Sequence, residues 1–132
     1  MTGYKAYRSN QVTGAGPLGL VLLTYDSLVT SLTRARAAAG NGDIAEEARF
    51  YARAFEAIVE LTTSLNMAAG GEVSRNLASL YSYMSRRLLE GQMQDSLAAT
   101  TEVLQLATTL REGWKELEAR QANSPRAAVA GG

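Results

Sequence analysis

The sequence predicts an all-α protein: an antiparallel four-helix bundle with a short N-terminal arm and a disordered C-terminal tail. Three observations predict it. Apolar residues recur at helical spacing, as in Leu77, Leu80, Met84 and Leu88, which are three, four and four residues apart and so share one helix face. Both prolines, Pro17 and Pro125, lie near the ends and leave a long stretch between them permissive for helix. Glycine clusters cut that stretch into four lengths with short connections, as expected for helices that alternate in direction around one core.

Pro17 suits the first turn of a helix running to about Ala39, where Gly40-Asn41-Gly42 supplies a stop. Asp43 with Glu46 resembles a capping box and opens a second helix to about Met67. Gly70-Gly71 breaks it, and a third helix runs from about Glu72 to Glu90. Gly91 through Asp95 form the next turn, with Asp95 as N-cap of a fourth helix ending near Gln121. After Ala122 the residues are small, with Ser124-Pro125 and a terminal Gly-Gly, and no apolar face remains. The expected organisation is therefore an arm over 1–16, a bundle over 17–121 and a tail over 122–132.

The core assignment follows the same periodicity. The first helix offers Leu18, Leu22, Tyr25, Val29 and Leu32. The second offers Ile44, Ala48, Tyr51, Phe55, Ile58 or Val59, and Leu65. The fourth offers Val103, Ala107, Leu110, Trp114 and Leu117. Within the third, Tyr81 and Tyr83 flank the apolar face, and Arg86 and Arg87 require partners or water.

Composition narrows the chemistry. The chain of 132 residues is enough for one domain, and its 13 basic residues balance 13 acidic ones, which leaves no general field for nucleic acid or an anionic membrane surface. It contains neither cysteine nor histidine, so thiol nucleophiles, imidazole metal ligands and Ser-His relays are excluded. No disulfide can form, which fits the cytoplasm. Met1-Thr2-Gly3-Tyr4-Lys5 leads into polar sequence without an apolar signal core, and no segment approaches a membrane span. No cofactor, no metal and no membrane insertion is expected.

Two apolar stripes remain after the core is assigned. At about 100° per residue, Leu20 and Leu23 project away from the core stripe of the first helix. Phe50, Ala54, Ala57 and Leu61 form a second stripe, displaced about a quarter to a third of a turn from the expected core centre. Leu20 and Leu23 can lie beneath the N-terminal arm, the Phe50 to Leu61 stripe can flank a broad core, and either can pair with a second copy or meet a partner.

The segment Ala6-Tyr7-Arg8-Ser9-Asn10-Gln11-Val12, followed by Ala15, Pro17, Leu20 and Leu22-Leu23-Thr24-Tyr25-Asp26, resembles the opening of the FliS-type flagellin export chaperones. The resemblance continues through Leu61, Ser64-Leu65-Asn66, the Leu80 to Leu88 stretch and Leu110-Arg111-Glu112-Gly113-Trp114-Lys115. Each stretch alone is weak, but the ordered set, from about Tyr7 to Lys115, is specific. Two departures stand out. Gly16 and Gly14 occupy positions where the family usually has Ser before the proline and Thr two residues earlier, and Thr24 stands where an apolar residue is usual.

The resemblance implies a cytosolic helical bundle that binds the C-terminal segment of newly made flagellin, prevents premature polymerisation and supports its delivery to the flagellar export apparatus. The implied partners are flagellin, an export-gate component and a further regulator. Combined with the leftover stripes, it marks Tyr7, Asn10, Leu20, Leu23, Phe50, Ala54, Ala57 and Leu61 as flagellin-binding residues. The Gly14-Ala15-Gly16 hinge lets an arm bearing Tyr4 and Tyr7 fold back over Leu20 and Leu23, either competing with the client or touching it.

The main alternative is a small helical enzyme holding an anionic metabolite with Arg86, Arg87 and Arg111. Arg86 and Arg87 diverge by about 100° and do not naturally converge, so one solvated arginine and one salt bridge is the ordinary expectation. A di-metal carboxylate bundle lacks its Glu-x-x-His pairs. A homo-oligomeric structural bundle is the third reading.

Overall fold

A computed structural model of the chain describes the backbone of residues 2–123 and the side chains of 18–66 and 70–122. Its elements are α1 (Thr2–Gly40), α2 (Ile44–Thr63), α3 (Met67–Met93) and α4 (Ser96–Asn123). The four-helix prediction holds, and the helix ends show how local chemistry set them.

Between α1 and α2 the chain turns through Gly42, whose φ of 72° lies in the left-handed region. The Asp43 side chain then accepts from the Glu46 N–H at 3.2 Å, capping α2. Only this half of the expected capping box forms. The Asp43 N–H is already bonded to the Ala38 carbonyl at 2.9 Å, so Glu46 pairs with Arg49 instead.

α2 ends at Thr63 rather than near Met67. Ser64 donates its hydroxyl to the Leu61 carbonyl at 2.8 Å, a local bond that competes with continuing the helix. Asn66 then offers its carbonyl to the Gly70 N–H and the Ser74 hydroxyl, which starts a short turn before the expected third helix. Gly71, at φ 55° and ψ −129°, breaks that turn from the rest of α3. Asp95 caps α4 as anticipated, accepting from the Ala98 N–H at 3.0 Å.

The start of α1 differs from expectation. The helix begins at Thr2, so the backbone of the arm is helical and continuous with α1 instead of hinging before Pro17. Glycine lowers helix propensity by about 1 kcal/mol without forbidding helix, and Lys5-Ala6-Tyr7-Arg8 supplies favourable helix formers ahead of it. The arm's side chains lie outside the described residues, as does the expected tail beyond Asn123.

Each helix packs on two neighbours. α1 lies between α2 and α4, and α3 closes the ring against α4 and, least extensively, α2. α1 and α3 are thus one diagonal of the bundle, and α2 and α4 the other. The core holds Tyr25, Leu28, Leu32 and Ala35 of α1, Tyr81, Met84 and Leu88 of α3, and Val103, Leu104 and Ala107 of α4. Val29, Leu77, Leu80, Leu110 and Trp114 pack on its edge.

α2 corrects the sequence reading most. Phe50, Tyr51, Ala54, Ala57, Ile58 and Leu61 are buried, while Ile44 and Val59 are 79% and 61% exposed. The buried face is therefore rotated by about 70° from the expected one. Ala54 and Ala57 lack bulk, which suits the close approach of α1; the periodicity reading, weighted to large residues, set them on a leftover stripe instead of in the core.

Candidate client-binding surface

The α1 sequence Leu22-Leu23-Thr24-Tyr25-Asp26 sends successive side chains to different destinations. Leu22, Thr24 and Tyr25 are buried, whereas Leu23 is 43% exposed and Asp26 faces solvent. Thr24, where the resemblance anticipates an apolar residue, donates its hydroxyl to the Leu20 carbonyl at 3.1 Å. That bond supplies a partner for a polar group in a buried position. Leu20 is half-buried and Leu23 open, one turn apart on the outside of α1.

Behind this face, stretches distant in sequence meet. The Tyr25 hydroxyl hydrogen-bonds that of Tyr81 at 2.7 Å, and their rings are tilted with centroids 6.5 Å apart. Burial pushes both phenols upward in pKa, Tyr81 most strongly. Asp26 accepts from Arg111 at 3.3 Å, joining α1 to α4. Trp114, one turn farther along α4, packs on the edge of the core near Tyr25. The sequence contained each of these stretches, but nothing in it specified the pairings between them.

On α3 and α4, Glu102 accepts from both the Tyr83 hydroxyl and Arg87 Nε, the latter at 2.7 Å. The Tyr83 hydrogen bond, followed by that of Arg87, lowers the Glu102 pKa, while the bond to Glu102 raises that of Tyr83. Arg86 is exposed, as the ordinary reading of the arginine pair anticipated. Arg87 and Arg111 engage different carboxylates, Glu102 and Asp26, so the three arginines of the enzyme alternative do not assemble one anion site. Among the described residues no three acidic groups gather around a metal position.

The eight expected binding residues separate into three groups. Tyr7 and Asn10 lie outside the described side chains. Leu20 and Leu23 present partial and open apolar surface, as expected. Phe50, Ala54, Ala57 and Leu61 are 6%, 0%, 4% and 2% exposed and belong to the core, so the expectation that they form spare surface is corrected. The exposed apolar residues that sequence reasoning did not assign to a surface include Val59, Val73, Leu89, Met93 and Leu97. Leu89, about 100° from Leu88, falls off the core stripe, and that was the available signal; Val59 and Val73 sit at core spacing, so their exposure carried none.

No described helix is long and apolar enough to cross a membrane. An all-helical bundle joined by aromatic and ionic contacts among these ordered stretches is the architecture that the resemblance implied for secretion chaperones. The family described as flagellar protein FliS matches residues 1–121. The flagellar secretion chaperone FliS of Salmonella typhimurium is 32% identical over 121 residues, covering 88% of this chain and 90% of that protein. Its counterpart in Bacillus subtilis is 30% identical over 113 residues, covering 86% and 84%, and that of Campylobacter jejuni 29% identical over 114, covering 86% and 89%. The chain belongs to the FliS family of flagellar secretion chaperones.

Proposed function

We propose that this chaperone binds the C-terminal segment of flagellin in the cytoplasm, prevents its premature polymerisation and supports its delivery to the flagellar export apparatus. Membership of a flagellar secretion chaperone family supports the class of client. The observation that carries the surface assignment is the apolar face of α1 at Leu20 and Leu23, which the bundle core leaves partly open. Filament-forming segments bury apolar helix faces on assembly and are association-prone beforehand; covering those faces keeps them apart. A segment that orders on binding sacrifices about 2–5 kcal/mol of the gross interaction, which keeps the complex releasable.

Tyr7 and Asn10 join Leu20 and Leu23 as proposed client contacts, through either competition or direct contact by the N-terminal arm. Phe50, Ala54, Ala57 and Leu61, as core residues, then contribute by shaping the bundle that carries this face. An export-gate component and a regulator are the further partners in this reading.

The test is calorimetry with a flagellin C-terminal segment and a matched segment whose apolar positions are serine. Binding of the first alone, weakened by Leu20→Ser and Leu23→Ser with the thermal midpoint retained, is the expected result. Equal binding of both segments would remove the apolar-capture mechanism. Deleting residues before Val12 raises affinity if the arm competes and lowers it if the arm contacts the client.

A further inference from the structure

The turn joining α1 to α2 carries the sequence's single Asn-Gly pair, Asn41-Gly42. Both residues are exposed, and Gly42, at φ 72°, has open space where a Cβ would stand. Two backbone bonds of the Schellman kind hold the turn: the Gly42 N–H donates to the Ala39 carbonyl at 3.2 Å and the Asp43 N–H to the Ala38 carbonyl at 2.9 Å. They close an exposed helix end, where local opening is least costly.

Opening this turn brings a nucleophile to an electrophile. Once released from Ala39, the Gly42 amide nitrogen is placed to close a five-membered ring on the Asn41 side-chain carbonyl carbon, and glycine leaves its approach unhindered. The surroundings do not oppose a new carboxylate at position 41. Arg34, Asp43, Glu46 and Arg49 line the cleft that Asn41 borders, two cations against two carboxylates, so the added charge enters no net negative field.

We propose that Asn41 is a site of spontaneous deamidation, converted through a succinimide to aspartate and isoaspartate. The Gly42 nitrogen gives up its proton to hydroxide and attacks Asn41 Cγ; an N–Cγ bond forms, and the side-chain nitrogen leaves as ammonia after taking up a proton. Water then opens the ring at Cγ to give aspartate, or at the Asn41 backbone carbonyl carbon to give isoaspartate. Nothing is oxidised or reduced. Either product exchanges a neutral amide for a carboxylate. Isoaspartate also routes the main chain through Cβ and Cγ, lengthening it by one carbon. The two turn bonds cannot both keep their register in that longer chain, so isoaspartate loosens the connection that the Asp43 cap completes. Asn41 lies well beyond Leu23 in sequence, at the other end of the packed part of α1, so this inference does not depend on the client reading.

The experiment incubates the full chain, and separately a peptide copying residues 37–46, at neutral and mildly alkaline pH. Peptide mapping by mass spectrometry and enzymatic methylation of isoaspartyl carboxyls read the products. Asn41 should gain one mass unit and yield both isomers at a rate within about tenfold of the peptide's, because exposed bonds that water can replace are inexpensive to open. The rate should climb with pH, since the attacking nitrogen must lose its proton. Asn76, inside α3 and followed by Leu77, is the internal comparison and should stay intact. Gly42→Ala should slow the reaction severalfold in the peptide, where no folded turn is strained, and Asn41→Gln, which needs a larger ring, should abolish it in the full chain. The isoaspartyl fraction, separated by ion exchange, should melt below the Asn41→Asp chain. A rate more than about tenfold below the peptide's, indifference to pH, or equal loss at Asn76 overturns the proposal. An isoaspartyl fraction with the thermal midpoint of Asn41→Asp overturns its structural consequence.

Discussion

Tyr25 and Tyr81 share a hydroxyl–hydroxyl hydrogen bond of 2.7 Å across the α1–α3 diagonal of the bundle. A third tyrosine spans the other diagonal, Tyr51 of α2 bonding the Thr100 hydroxyl and, at 3.2 Å, the Ser96 carbonyl of α4. Apolar side chains alone set packing without fixing which residues must meet. A buried hydroxyl that requires a partner penalises sliding of one helix along another, and these three bonds act between helices that are not direct neighbours.

Removing one hydroxyl of the first pair should cost more than removing both together would suggest. Tyr25→Phe or Tyr81→Phe leaves a buried phenol short of a partner, at about 1–3 kcal/mol, whereas the double change removes both polar groups. A double-mutant cycle from urea denaturation should therefore give less than additive loss. Strict additivity would show that the bond contributes no coupling.

The same pair predicts alkaline sensitivity. Both phenols have folded pKa values raised above the ordinary value of about 10 by burial, so the neutral form is favoured in the folded state. Their contribution is fully present below that ordinary value and lost as pH rises above it through the folded values. The double Phe variant should lose less stability between neutral and strongly alkaline pH than the parent, as followed by thermal midpoint.

Glu102 reports on the acid side. Its folded pKa is lowered first by the Tyr83 bond and then by Arg87, so its contribution is present above the ordinary carboxylate value and lost as pH falls through the folded one. Glu102→Gln should lower the midpoint modestly at neutral pH and flatten its decline in acid. An acid profile identical to the parent's would separate Glu102 from α3–α4 docking.

How far the sequence reached depended on the physical signal in each element. Asp43, Asp95 and Gly42 marked two connections because capping and positive φ are local requirements, whereas Gly70-Gly71 and Gly91, expected at breaks, lie inside α3, and the α2–α3 connection falls earlier, at Ser64 to Asn66. Helices α3 and α4 showed their buried faces through apolar spacing, with Met84, Leu88, Val103 and Ala107 placed correctly, although Leu117, expected in the core, is exposed near the end of α4. α2 misled because Ile44 and Val59 are large but exposed while Ala54 and Ala57 are small but buried; which face a helix buries is decided by the neighbours it meets. That rotation converted half of the expected site, Phe50 through Leu61, into core. Leu20 and Leu23 were legible because they lie well off a stripe that Tyr25 and Leu32 define without ambiguity.

The rotated face of α2 yields a direct test. Leu61→Ala should destabilise the bundle by about 2–5 kcal/mol, and Phe50→Ala by about 3–5 kcal/mol where the cavity does not collapse. Val59→Ala, at an exposed position, should stay within about 0.5 kcal/mol of the parent. Comparable small effects at all three positions in denaturant titrations would contradict the burial assigned to α2.

The α3–α4 turn provides the last test, because Gly91 is buried where the two helices close on each other. A Cβ at Gly91 would collide with Cβ of Ala99, a carbon on the backbone's own first shell that no rotamer change can move away. Gly91→Ala gains about 1 kcal/mol of helix propensity, yet the overlap forces the helix ends apart, and overpacking of this kind costs about 1–3 kcal/mol. The net effect should be destabilising and concentrated in α3–α4 docking, loosening the nearby Tyr51–Ser96 and Tyr51–Thr100 contacts. Ala99→Gly on the same chain removes the opposing carbon, so the double variant should recover stability relative to Gly91→Ala despite its added helical glycine. Thermal midpoints of the two single variants and the double variant check this: a double variant less stable than either single change would show that helix propensity, and not close approach, determines glycine at this position.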